Sequence, residues 1–264
     1  MIIDFHTHAF PEGLAKRALT GLSSRAGNMP FYTDGTPDGL LRHMDESGVD
    51  KAVVLQIATR KENMTTINNA AEKGNSERLI YFGSVHPLAE NALEELDRIA
   101  GMGLLGVKFH PEYQDFDIDD KRCEPVYRRI GELGLITTLH MGRDLGFFGH
   151  CHCAPEMLER VMPLFGSAPV IAAHSGGYAM WEETMSAYTR RDNLYFDTSF
   201  SHVHLPPKAL RAIIDKHGAE KVLFGSDSPW SPMKGEMSFL DSVGLSETER
   251  ELILHKNAER LLGL

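Results

Sequence analysis

The chain has 264 residues, 42% hydrophobic and 24% charged, a balance that supports a packed globular core and excludes intrinsic disorder. Lysine and arginine total 27 against 37 acidic residues, and a net charge of −10 argues against a nucleic-acid partner. The N-terminal MIIDFHTHAFPEG lacks the pattern of a secretory signal, no apolar run approaches membrane-spanning length, and three cysteines (Cys123, Cys151, Cys153) fit a reducing compartment, so the expectation is a cytoplasmic protein that does not enter a membrane.

Eight short apolar, β-branched runs follow one another: MIIDF near Ile3, KAVVLQI near Val53, RLIYFGSV near Ile80, LLGVKF near Val107, LITTLH near Thr137, PVIAAH near Ile171, NLYFDTSF near Phe196 and KVLFGSD near Leu223. Most are continuously apolar, which predicts parallel strands buried on both faces. Between them PDGLLRHMDESG, ENALEELDRIAGMG and CEPVYRRIGELG have helical spacing and reach Gly48, Gly103 and Gly134, residues suited to the left-handed turn that ends a helix. MWEETMSAYTRR and PPKALRAIIDKHG predict helices after the sixth and seventh strands, and Ser246 with Glu249 forms a capping box that opens the last helix. Nothing in the composition divides the chain. The eightfold alternation predicts an α/β protein, a single (β/α)8 TIM barrel over residues 1–264, with an open doubly wound sheet as the alternative.

His6 and His8 lie two apart at the end of the first strand, where alternation sends both side chains to one face. Two such imidazoles can chelate a cation while leaving positions open for water. Lys108 and His110 follow the fourth strand, His140 the fifth, His174 the sixth and Asp227 the eighth. All these positions fall at C-terminal ends, where barrel enzymes gather catalytic groups. His43, His217 and His255 fall in helical stretches and read as surface or packing residues.

The motifs DFHTHAF, GVKFHPEYQ, LHMG, AAHSGG and LFGSDSPW, in that order from Asp4 to Trp230, resemble the amidohydrolase superfamily, in particular the branch containing aminocarboxymuconate semialdehyde decarboxylase. A histidinol-phosphatase-like barrel also starts with His-x-His, but the late GSD at Gly225–Asp227 fits the amidohydrolase pattern better. The resemblance implies an enzyme with one divalent metal, zinc by preference and manganese, cobalt or iron as alternatives, on His6, His8, His140 and Asp227, with His174 as acid/base residue. It also implies a small-molecule substrate and a homodimer. A lysine at the position of Lys108 is carbamylated in related binuclear enzymes; the single-metal form is expected here, with Lys108 holding a substrate carboxylate or pairing with an acid.

Two chemistries use these groups. In the first, metal-activated water attacks a carboxylic ester, lactone or amide, with Asp227 as catalytic base and His174 as acid. In the second, an unsaturated or aromatic acid loses carbon dioxide without oxidation. A noncatalytic barrel is the third reading, disfavoured by a spare acid/base group beside the ligands. Substrate contacts are expected from Lys108, His110, Arg143, Trp181 and Trp230, with Gln56, His86, Tyr178, Phe200, His202 and His204 as further mouth residues. HCHC at 150–153 lacks the paired spacing of structural zinc sites and reads as a variable loop, with adventitious metal binding as the alternative.

Overall fold

The computed structural model describes residues 1–264. Its eight strands are β1 (Ile3–Thr7), β2 (Lys51–Leu55), β3 (Leu79–Phe82), β4 (Gly106–Phe109), β5 (Ile136–Leu139), β6 (Val170–Ala172), β7 (Leu194–Asp197) and β8 (Val222–Leu223), each within one of the expected runs. Every pairing between sequential strands is parallel. Two short seams close the ring. Lys108 N donates to Gly83 O at 2.9 Å between β3 and β4, and Phe5 N to Phe224 O at 2.8 Å between β8 and β1. The arrangement is a (β/α)8 barrel rather than an open sheet, because β1 has neighbours on both sides.

The barrel interior is packed. Ile3, Phe5, Val53, Leu55, Phe82, Ile136, Ile171, Tyr195 and Leu223 form one apolar cluster that Ala258 and Leu262 of the last helix join. Asn257 Nδ2 donates to Ala219 O and Val222 O, which fixes that helix at the end of the barrel where β8 begins. A larger cluster lies between strands and helices, so the strands are apolar on both faces as their sequences require.

Helices cover Pro37–Ser47, Ala92–Gly101, Glu124–Leu133 and Pro207–His217 as expected. Gly48 and Gly134 take φ of 72° and 67° at the ends of two of them, values that cost a side-chain-bearing residue free energy. The helix after β6 is shorter than its sequence suggests, Trp181–Ala187, and a helix over Glu12–Arg25 follows β1 where none was expected. The capping box is present: Glu249 N donates to Ser246 Oγ and Ser246 N to Glu249 Oε2. Ser246→Ala is expected to cost about 1 kcal/mol of unfolding free energy, measurable by urea denaturation. The Arg211 guanidinium, donating at 2.8 Å, holds the Glu249 carboxyl down at about 2. A depressed carboxylate stabilises the fold above its unfolded pKa, so this contribution is complete at neutral pH and lost as pH falls from about 4.5 toward about 2.

Candidate metal centre

Strand direction gathers the chemistry. The register of β1 against β2 slips between Asp4 and Thr7, so Phe5 joins the interior core while His6 and His8 reach the open end of the barrel. Asp227, beyond β8, meets them: His8 Nε2 lies 3.1 Å and His6 Nε2 3.5 Å from Asp227 Oδ1. His6, His8 and Asp227 can each offer one donor atom to a common ion. Asp227 and His174 have φ of 69° and 57°, a left-handed conformation whose cost is of order 1–3 kcal/mol for each non-glycine residue and which recurs at functional sites.

His140, expected with that set, lines the same cavity and also stands in a neighbouring group with His110 and Asp144. Its ring stacks on His110 with centroids 4.0 Å apart, and its Nδ1 lies 2.9 Å from His174 Nε2. His140 Nε2 is buried with no hydrogen-bond partner. Lys108 is fully buried between the groups, its Nζ 3.3 Å from His6 Nε2, and desolvation lowers its pKa to about 8. Desolvation also drives the pKa values of His6, His110, His140 and His174 well below the ordinary imidazole range, which leaves these rings neutral as metal coordination requires.

The outer partners fit a metal. His8 Nδ1 lies 2.9 Å from Leu55 O, an atom that can only accept, so Nδ1 carries the proton and Nε2 keeps its lone pair. His6 Nδ1 lies 2.8 Å from Asp197 Oδ2 and follows the same logic. Asp197 was not foreseen from the sequence, although NLYFDTSF places it at the end of β7. Its other oxygen accepts from Ser199 Oγ at 2.5 Å, and Ser199 Oγ lies 2.9 Å from His174 Nδ1. With the hydroxyl proton directed to Asp197, the chain runs His140 Nδ1 to His174 Nε2, His174 Nδ1 to Ser199, and Ser199 to Asp197, leaving His140 Nε2 also unprotonated.

These groups form the floor of a cavity of about 320 Å³. Lys108, His110, Arg143 and Trp230 line it as expected, as do Gln56, Tyr178 and Phe200. Trp181 does not. It begins the helix after β6 and packs on Tyr178 with ring centroids 5.9 Å apart, and His86, His202 and His204 also stay outside the lining. His202 pairs instead with the buried Glu236. Leu14 and Leu22, from the unforeseen helix Glu12–Arg25, complete an apolar wall. His43 contacts Ser228 Oγ at 3.1 Å, and His217 packs on Phe196.

No helix is long and apolar enough to cross a membrane. Similar solved structures include an uncharacterised barrel protein from Bordetella bronchiseptica, 21% identical over 99% of this chain and 98% of that one, with a TM-score of 0.79. A 5-carboxyvanillate decarboxylase from Novosphingobium aromaticivorans with bound manganese is 15% identical over 100% and 97%, TM-score 0.75. A candidate 2-pyrone-4,6-dicarboxylic acid hydrolase from Pseudomonas putida is 21% identical over 99% and 97%, TM-score 0.72. No curated protein matches the chain by sequence. The family model described as amidohydrolase matches residues 3–264, and together with the barrel and its ordered motifs this makes the chain an enzyme of the amidohydrolase superfamily.

Proposed function

We propose that this enzyme is a hydrolase that uses one divalent ion, zinc by preference, on His6, His8, His140 and Asp227 to cleave a carboxylic ester, lactone or amide. The observation that supports this reading is that His6, His8 and Asp227 bring three donor atoms within 4.8 Å of one another while the buried His140 Nε2, without a hydrogen-bond partner, lines the same cavity. Manganese, cobalt and iron suit the same donors. When bound, such an ion acidifies water and polarises a carbonyl.

The side chains supply the remaining steps. Asp227 takes the proton of the attacking water and delivers it to the departing oxygen or nitrogen. His174 has both ring nitrogens engaged, by His140 and Ser199, so it acts first as the residue that keeps the His140 Nε2 lone pair directed at the centre. Lys108 offers positive charge to the oxygen that becomes negative during attack. The apolar wall takes the body of the substrate, and Arg143, the one arginine in the lining, suits a single substrate carboxylate.

Nonoxidative decarboxylation is favoured by a different observation: the same apolar wall would strip water from a substrate carboxylate and favour neutral carbon dioxide over the charged acid. The two readings part in their products. Metal-loaded enzyme offered esters, lactones, amides and carboxylated aromatic acids is expected to release acid from one of the first three without evolving carbon dioxide. Carbon dioxide evolution from an aromatic or unsaturated acid, with no hydrolysis, would transfer the assignment to decarboxylation. At the centre beside Lys108 about one ion is expected, while a second ion at that same centre would bring a carbamylated Lys108 into coordination.

A further inference from the structure

The segment His150-Cys151-His152-Cys153 alternates two kinds of donor, and the fold sends them to different partners. Both histidines meet Asp117: His150 Nε2 lies 2.7 Å and His152 Nδ1 2.8 Å from its Oδ1. Both thiols meet the carbonyl oxygen of Gly142, Cys151 Sγ at 3.2 Å and Cys153 Sγ at 3.3 Å. Glu112, in the short helix Pro111–Gln114 after β4, brings a carboxylate oxygen to the thiol side, and the three donor atoms lie within 4.8 Å of one another.

The two sides differ in what they lack. Asp117 is partly exposed to solvent and sits between two imidazoles, so the outer pairing is complete without an ion. Glu112 is only 5% exposed and Cys153 is fully buried. Glu112 accepts from His152 N at 2.9 Å, and its one ion-pair partner is His152 Nε2 at 3.9 Å. Burial raises the Glu112 carboxyl. A buried carboxylate facing two thiols, with no lysine or arginine paired to it, is an electrostatic cost that a cation would offset.

We propose that Cys151, Cys153 and Glu112 form a second metal site, for a thiophilic divalent cation of the zinc class, separate from the centre on His6, His8 and Asp227. Two sulfurs and one carboxylate suit zinc and disfavour magnesium or calcium. Binding displaces both thiol protons to solvent, so the ion is held by two thiolates and one carboxylate. Its consequence is mechanical. Glu112 adjoins Tyr113, Gly142 adjoins Arg143, and both neighbours line the cavity, so an ion here ties the segment after β4 to the one after β5. Gly142 packs closely on the segment after β6, where a Cβ would lie 2.4 Å from Tyr178 N and exclude any side chain.

The test uses the reduced, full-length protein stripped of metal and titrated with cobalt(II). Sulfur ligation gives a near-ultraviolet thiolate-to-cobalt absorption, which the sulfur-free His6, His8 and Asp227 centre cannot produce. That band is expected to saturate at about one ion per chain, to vanish in Cys151→Ser and in Cys153→Ser, and to need roughly tenfold more cobalt in Glu112→Gln. Cys123→Ser and His6→Ala are expected to retain it, the latter showing that the second site stands whether or not the catalytic reading does. Absence of the band in the wild-type protein with its thiols reduced, or its survival in both serine variants, would overturn the proposal; so would formation of a Cys151–Cys153 disulfide in place of cobalt binding.

Discussion

Asp227→Asn is expected to lower kcat by about 10²–10⁴-fold, the range typical of a lost acid/base group, and to lower metal content as well. The choice of asparagine isolates the chemistry from the fold. At φ of 69° most side chains would strain the backbone, but asparagine enters this region about as readily as aspartate. The amide also matches the carboxylate in shape, so the melting temperature should stay near that of the wild type. What changes is charge. The carboxylate oxygen 3.1 Å from His8 Nε2 loses its affinity for a cation, and the carboxylate that would take a proton from water is gone. Metal content and turnover measured on the same preparation separate the two losses, because excess metal restores occupancy without restoring the base. A variant with full metal content and activity within about tenfold of the wild type would remove Asp227 from both roles and with it the hydrolytic mechanism.

The barrel was legible because its signal is repetitive: eight apolar runs, each buried on both faces, alternate with amphipathic segments over the length such a barrel needs. The candidate site was legible for a related reason. Strand direction alone brings His6, His8, His140, His174 and Asp227 to one end, whatever the loops do. Finer features follow from contacts that pattern does not encode. The stacking of His140 against His110 is one such contact. Trp181 was expected at the mouth, but its position was set by where the helix after β6 begins. The helix Glu12–Arg25 escaped notice because three glycine or serine positions near its middle and end, Gly21, Ser23 and Ser24, weaken its helical pattern, yet it supplies part of the cavity wall. Asp197 looked like one more strand residue, and only the folded chain shows that both of its oxygens serve histidines of the centre.

Asp197→Asn is therefore expected to weaken metal binding by about 10–100-fold, even though the residue belongs to neither proposed donor set. The reason lies in the direction of hydrogen bonds. Asp197 Oδ1 accepts from the backbone N–H groups of His174 at 3.0 Å and Ser199 at 3.1 Å, and from the Ser199 hydroxyl. An asparagine must keep its carbonyl oxygen on those donors, which turns its amide N–H2 toward His6 Nδ1. Two donors cannot face each other, so the His6 proton moves to Nε2, the atom that lies 3.5 Å from Asp227 and whose lone pair a metal would need. Ser199→Ala provides the contrasting case: it leaves the direct contact between Asp197 and His6 in place and interrupts only the branch through His174 to His140. Competition against a metal chelator reads the affinities, and nitrogen-15 shifts of the metal-free protein read the His6 tautomer. The expected pair of results is a tautomer switch and weak binding in Asp197→Asn, against an unchanged His6 tautomer in Ser199→Ala. Equal affinity in Asp197→Asn and wild type would mean that the His6 lone pair is not what holds the ion, and His6 would leave the donor set.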